Sequence, residues 1–526
     1  MNVVWSDVKS FIPFIRCMPE GAFTVDREPS ESRYRLATGY TLSFSRELEP
    51  SDWILFCKHT HRVRQFTDTQ FLGAAYYPTS DTLETMSRFI CQYREENSAG
   101  CLFPRLETLI AHTVKAEYGV PCYLPYICGP SLRNLELDMD LLFTQKNLNV
   151  AIYTNWSDIV PIMRSSWPGL HSMTLTGGEP SPSPYLHFVA GDWVNNLPHL
   201  RTFKASLALH SSLVYALCEL PLLHTLELEG ESCLPPPIDL HQLPPSVFRS
   251  LRSLTLPWKA NNSPIPLLRV FWDTRTLKKL SITVNCDSNT TRGLRTLFDA
   301  ISKISSVVSL YVDILYSIGR AEYEGAVSGQ LLTILFPLRH MLGFAMRGYM
   351  NNFSLEDQDL REIASAWPEL RTFRIDACPN INGVPPATTL LGVQALYNEC
   401  PYLQHVQIIV NDDLPTKVID DSGTRRRELD LPPAGPREYW MEELKVDVIR
   451  LTRNNYGWES MTYLPMAVRL MFPDLIYCNM ATPHPSQTLG YSRNEARKTW
   501  NEVQCMELSE VRERLSNHVR SRTWYW

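Results

Sequence analysis

The amino-acid sequence predicts an α/β solenoid: an irregular stack of strand-plus-helix units, with parallel strands on the concave face of a horseshoe, helices on its convex face and helical caps at both ends. Three observations predict it. A pattern P-x-L-x-x-L-x-L recurs along most of the chain and is cleanest where Pro221, Leu223, Leu226 and Leu228 occupy it. Its last two leucines stand two apart, as on one face of a strand. Between the copies, apolar residues fall at helical spacing. The length of 526 residues exceeds what one compact core usually fills, and a quasi-one-dimensional stack accommodates it.

Taken in order, residues 1–75 form an N-terminal capping region without the repeat. Trp5, Val8, Phe11 and Ile12 are spaced like one helical face up to Pro13, and Trp53, Phe56 and Cys57 form a second helical stripe. Residues 76–410 form the solenoid. Leu83, Met86 and Ile90 lie on one helical face, and the anchors of the units then follow: Leu106, Leu132, Leu170, Leu200, Leu223, Leu251, Leu277, Val307, Leu338, Leu370 and Leu403. Their steps of 26, 38, 30, 23, 28, 26, 30, 31, 32 and 33 residues fit strand-plus-helix leucine-rich repeats with insertions. In many copies a proline stands two residues before the anchor, where it ends the preceding helix without removing a ladder hydrogen bond.

The intervening helices are predicted from Leu294, Leu297, Phe298, Ile301 and Ile304, and from Leu360, Ile363, Ala364 and Trp367 after a capping-box-like Ser354 and Asp357. A single unit cannot bury its strand face and helix stripe; stacking joins them into one core, at roughly 2 kcal/mol per buried leucine. The asparagine that follows the strand in the familiar repeat is replaced by Asp140, Gly178 and Glu231, so an asparagine ladder is absent or irregular. A proline-rich insert occupies 231–246. Residues 411–438 read as a flexible loop, and 439–526 as a helical cap with a last repeat echo at Pro473 and Leu475 and a charged tail ending in three aromatics.

Composition narrows the function. With 44% hydrophobic residues, 20% charged residues and a formal charge of -6, nothing calls for a nucleic-acid partner. The 13 cysteines include no C-x-x-C pair and read as reduced, mostly buried thiols. No apolar run approaches a membrane span, and no signal peptide opens the chain, so a cytoplasmic or nuclear protein is expected. No G-x-S-x-G, Walker lysine loop or G-x-G-x-x-G occurs. His59 and His61 lack a third metal ligand at standard spacing, and Asp138 with Asp140 and Asp412 with Asp413 lack the rest of a calcium loop. No catalytic residue, cofactor or metal is expected.

The repeat does supply outward positions, the residues between and just after the core leucines of each strand. The candidate partner-binding residues are Glu136, Asp138, Thr174, Lys204, Glu227, Glu229, Thr255, Ser281, Tyr311, Asp313, Arg374, Asp376 and Gln407. Polarity alone would put such residues in solvent. Their mixture of signs suits a protein or peptide surface rather than a ligand of one charge.

Four stretches carry a resemblance: VVWSDVKSFIPFIRCMP near the start, EPSDWILFCKHTHRVRQF before the first repeat, the P-x-L-x-x-L-x-L series, and VRLMFPDLIYCN late in the chain. Together they resemble the F-box and leucine-rich-repeat-like proteins expanded in mushroom-forming fungi. The resemblance implies repeats that recruit a protein substrate and an N-terminal F-box that docks on the adaptor of a cullin-RING ubiquitin ligase. This chain departs from the pattern: it opens on what resembles the segment after the F-box, so Trp5 to Pro13 reads as a trailing remnant. Adaptor binding is expected only if an F-box is encoded upstream. A repeat scaffold unconnected to ubiquitin is the alternative reading, and an enzyme with a dispersed site the third.

Overall fold

The computed structural model describes residues 5–27, 40–69, 76–78, 80–96, 101–112, 127–138, 167–176, 194–206, 211–229, 247–259, 265–272, 275–286, 290–316, 327–348, 353–377, 387–411, 416–421, 424–429, 443–449 and 477–481, together with residues 468, 471, 506, 510 and 511. Packing divides the chain into two units, Met1–Leu256 and Pro257–Trp526. Each is built from parallel strands and helices.

In the first unit the elements run β1 (Asp7–Val8), α1 (Ile12–Ile15), β2 (Phe23–Arg27), β3 (Tyr40–Phe44), α2 (Pro50–Cys57), β4 (Gln65–Thr69), β5 (Tyr76–Pro78), α3 (Ser80–Glu96), β6 (Thr108–His112), β7 (Asn134–Asp138), β8 (Ser172–Thr176), β9 (Thr202–Ala205), α4 (Ser211–Glu219), β10 (Thr225–Leu228) and β11 (Ser253–Lys259). The main sheet takes β1, β4 and β6 through β11 in chain order, all parallel. Register aligns Phe66, Leu109, Leu135, Met173, Phe203, Leu226 and Leu254 in one row, none more than 2% exposed. That row is the core, and the alternation of a strand turns its neighbours outward.

In the second unit the elements run α5 (Ile265–Arg269), β12 (Lys279–Cys286), α6 (Thr290–Ser302), β13 (Ser309–Tyr316), β14 (Val327–Ser328), α7 (Gly329–Leu332), β15 (Gly343–Gly348), β16 (Phe353–Ser354), α8 (Asp357–Ala366), β17 (Thr372–Ala377), α9 (Leu390–Glu399), β18 (His405–Asn411), β19 (Thr416–Asp421), β20 (Thr424–Leu429), β21 (Glu443–Ile449) and β22 (Tyr477–Ala481). Strands β12, β13, β15, β17, β18, β21 and β22 pair in parallel in that order. Leu280, Leu310, Phe344, Phe373 and Val406 form its buried row. Helix α6 buries Leu294, Leu297, Phe298 and Ile301, and α8 buries Leu360, Ile363 and Ala364. The starts of α8 and α9 are tied together where Asp357 accepts the Thr389 N–H at 2.6 Å and its hydroxyl at 2.7 Å.

Two local devices set the repeat. Where a proline stands two residues before the anchor it opens a β-turn: the N–H of Leu106, Leu132, Leu170, Leu200, Leu370 and Leu403 donates to the carbonyl three residues back, with Pro104, Pro130, Pro168, Pro198, Pro368 and Pro401 second in the turn. Proline's fixed φ suits that place. Beyond the turn, one carbonyl accepts two N–H groups of the following unit. Arg64 O takes those of Glu107 and Thr108 at 2.7 and 3.0 Å, and Glu107, Arg133, His171, Arg201 and His224 repeat the arrangement. This rail fixes strand register before the ladder begins.

Five sequence expectations are corrected. The helical face over Trp5 to Pro13 is a two-residue strand, β1, followed by α1, which contains Pro13 in its first turn, where a missing N–H costs nothing. The anchor near Leu338 is Met341, because register sets Phe344 beside Leu310. The capping box of α8 is Glu356 with Asp359, whose carboxylate accepts the Glu356 N–H at 2.8 Å, two residues later than Ser354 and Asp357. Residues 411–438 are no bare loop: β19 and β20 pair antiparallel, setting Lys417 opposite Glu428 and Asp420 opposite Arg425. The stack also continues past residue 410, for β21 pairs with β18 where a helix was expected. Leu444, Val446 and Val448 alternate with period two there, a strand signal. The insert at 231–246, Asp140, Gly178, Glu231 and most of the charged tail lie outside the described residues.

Candidate partner-binding face

Register sorts the outward residues into rows. In the first unit Glu136, Thr174, Lys204, Glu227 and Thr255 stand side by side on β7 to β11, each half-buried. Lys204 Nζ lies 2.5 Å from Glu227 Oε2. A second row begins with Asp138 and Thr176; the Asp138 side chain is outside the described set. Glu229 follows β10, is exposed, and donates its N–H to Ala205 O at 2.7 Å.

In the second unit the candidate residues fall in two rows. Ser281, Tyr311, Ala345, Arg374 and Gln407 belong to the first, which register continues to Lys445 and Asn479. Thr283, Asp313, Arg347 and Asp376 make the second. Structure therefore brings Tyr311, Asp313, Arg374 and Asp376 around one strand, β15, whose outward positions are Gly343, Ala345 and Arg347. Ala345 leaves a notch between Tyr311 and Arg374, and Arg347 stands above it between two carboxylates.

The electrostatics of this cluster are coupled. Arg347 Nε lies 3.9 Å from Asp376 Oδ2, a loose and exposed ion pair. Burial pushes the Asp313 carboxyl above its ordinary range; Arg347 opposes that shift and Asp376 adds to it. Burial likewise lifts the Tyr311 hydroxyl, helped by Asp313 and opposed by hydrogen bonding with the Arg347 guanidinium. In the same row, Gln407 Nε2 is buried with no hydrogen-bond partner among the described residues. A face with two guanidinium groups, two carboxylates and a phenol can recognise mixed polar groups.

Arg347 is the residue that sequence reasoning missed. Its signal was present in Phe344-Ala345-Met346-Arg347, which alternates apolar and outward positions, but the misplaced anchor hid the strand. Elsewhere, His59 stacks on Trp5 at 4.3 Å between centroids, and burial first, then Arg62 and Lys58, hold its imidazole below the ordinary range. His61 is exposed, and among the described residues no group of three His, Cys, Asp or Glu could hold a metal. Cys101, Cys128, Cys218 and Cys400 are buried and form no disulfide, and burial pushes the Cys128 and Cys218 thiols up, away from a nucleophile's range. No described helix is long and apolar enough to cross a membrane. No protein-family model matches the chain, and a search of curated proteins found no match.

Proposed function

We propose that this chain is a protein-binding receptor of leucine-rich-repeat type, that its parallel strands form the concave recognition face of a horseshoe, and that it is related to the substrate-recognition subunits of F-box cullin-RING ubiquitin ligases. The observation that carries the binding reading is the row-aligned cluster of Tyr311, Asp313, Arg347, Arg374 and Asp376 across three adjacent strands. Rigid neighbouring strands hold such side chains at fixed separation, so a partner meets a preorganised surface. Catalysis has no part in this reading, and the site of action is the cytoplasm or nucleus.

The ligase connection is supported by the resemblance of the four stretches alone. One observation favours the second reading, a repeat scaffold unconnected to ubiquitin: Asp7 and Val8 pair with Gln65 and Phe66, so the segment resembling an F-box remnant is engaged in the stack.

The test begins with partners captured by the full chain and rebuilt from purified components. Arg347→Ala and Tyr311→Ala are each expected to weaken the rebuilt complex about tenfold or more, as truncations at the centre of an interface do. Unchanged affinity for both variants would exclude this face. An F-box encoded upstream, with a ligase adaptor recovered by the chain that carries it, supports the ligase reading; no F-box upstream leaves the scaffold.

A further inference from the structure

The rail of the first unit carries a charge bias that its fold does not require. Residues in its entry turns and just after its anchors lie beside one another from unit to unit, because each rail carbonyl binds the N–H groups of the next. At these positions arginine dominates and no lysine occurs. Arg62, Arg105, Arg201, Arg249 and Arg252 are exposed, and none of their side chains has a hydrogen bond or ion pair among the described residues. Arg64 pairs with Glu107 at 3.3 Å, the one acid of the row, with both side chains more than half exposed. Arg133 donates from Nη1 to Gly169 O at 2.7 Å, and a Cβ on Gly169 would run into that guanidinium.

Neighbouring strands lie ~4.8 Å apart, so the seven rail positions from Arg64 to Arg252 span about 29 Å, with arginine at every second one (Arg64, Arg133, Arg201 and Arg252), about 10 Å apart. The equivalent positions of the second unit show no such period: on its rail Lys278 and Arg371 are separated by the apolar Val308 and Leu342, and Arg275, Arg339 and Glu369 stand in its turns.

We infer that this edge is a docking rail for a polypeptide segment bearing a run of aspartates and glutamates. Guanidinium forks match carboxylates in bidentate geometry. An acidic run presents a carboxylate about every 3.3 Å of extended chain, denser than the rail, so each arginine finds a partner without strict register. Nucleic acid fits less well. Single strands need aromatic platforms for stacking, the Phe103, Trp167 and Phe248 of these turns are buried, and the chain's formal charge is -6. The rail is a different surface from the outward rows and stands whether or not those rows bind anything.

The test uses the full chain and a fluorescein-labelled peptide of about twelve alternating Asp and Glu residues, long enough to span the rail. Fluorescence anisotropy is expected to show binding that weakens steeply from about 50 to about 300 mM salt. Arg105→Glu/Arg201→Glu/Arg252→Glu is expected to weaken it at least ~30-fold, against under ~3-fold for Arg275→Glu/Lys278→Glu/Arg371→Glu in the second unit. Should the first variant fail to fold, the corresponding Gln triple decides, with a loss of at least ~5-fold. Failure of the peptide to bind, equal losses in the two triples, or an oligonucleotide of equal charge binding as tightly would overturn the inference.

Discussion

The two units share a repeat and differ in what they expose. Strands β6 to β10 of the first unit are four or five residues long and align two outward rows, one of Thr108, Asn134, Ser172, Thr202 and Thr225 and one that holds the Lys204–Glu227 pair. Strands β12 to β18 of the second are six to eight residues long, apart from the two-residue β14 and β16, and add a third row across β12, β13, β15 and β17. Two extra residues per strand bring Asp313, Arg347 and Asp376 into the ladder, above Tyr311 and Arg374. Strand length therefore decides how many rows of side chains a repeat presents. The entry edge differs too, with arginine at every second rail position of the first unit and the apolar Val308 and Leu342 between the cations of the second.

The largest expected effect tests whether the units are separable. Leu226→Ala and Leu310→Ala each remove a fully buried leucine of one core row and should cost about 2–5 kcal/mol. Hydrogen exchange should accelerate in the strands of the altered unit. Equal acceleration in both units for either variant would break the comparison, since one cooperative core would then span them.

A smaller effect contrasts a buried charge in the first unit with the exposed pair of the second. Asp52 is 1% exposed, accepts from Arg46 Nη1 at 2.7 Å and Nη2 at 3.0 Å, and closes the capping box of α2 by accepting the Glu49 N–H at 2.9 Å. The Arg46 hydrogen bonds, ahead of the Glu49 N–H, hold its carboxyl below the ordinary range. Its contribution is therefore present above the ordinary carboxylate pKa and is lost as pH falls through the lowered folded value. Asp52→Asn should cost about 2 kcal/mol at pH 7, the scale of charge-assisted hydrogen bonds, and progressively less in acid. A pH-independent loss in denaturant titrations would mean that the charge is not what matters.

The smallest effect has the opposite sign. Folding raises the Asp313 carboxyl, so ionising it in the folded state carries a penalty. That penalty is absent below the ordinary carboxylate pKa, grows between the ordinary and the raised value, and is complete above it. Asp313→Asn should leave stability unchanged in acid and raise it slightly, by under ~1 kcal/mol, at pH 7. Thermal melts across that range check it; a loss at pH 7 would show Arg347 to outweigh burial, and the second unit's cluster would be a stabilising pair rather than an exposed recognition group.

The limits of sequence reading follow the same physics. Leucines at Leu223, Leu226 and Leu228 were legible because a single strand's alternation imposes its own pattern on the sequence. The helix over Thr290–Ser302 was legible for the same reason at another period. Met341 was misread because two apolar residues three apart, Leu338 and Met341, both satisfy the local rule; Leu338 closes the turn on Leu335 and Met341 closes the next on Leu338. Strand β21 was missed because a long insert separates it from its predecessor.

By itself, then, the sequence determined the α/β class, the strand period, the buried leucines and the polarity of the outward positions, all of which depend on neighbours within a few residues. Only the tertiary structure decided which outward residues meet. Parallel pairing fixes register between strands about thirty residues apart, through backbone hydrogen bonds that leave no mark in composition. That pairing is what sets Arg347 between Asp313 and Asp376, and what draws arginines from separate turns into one rail.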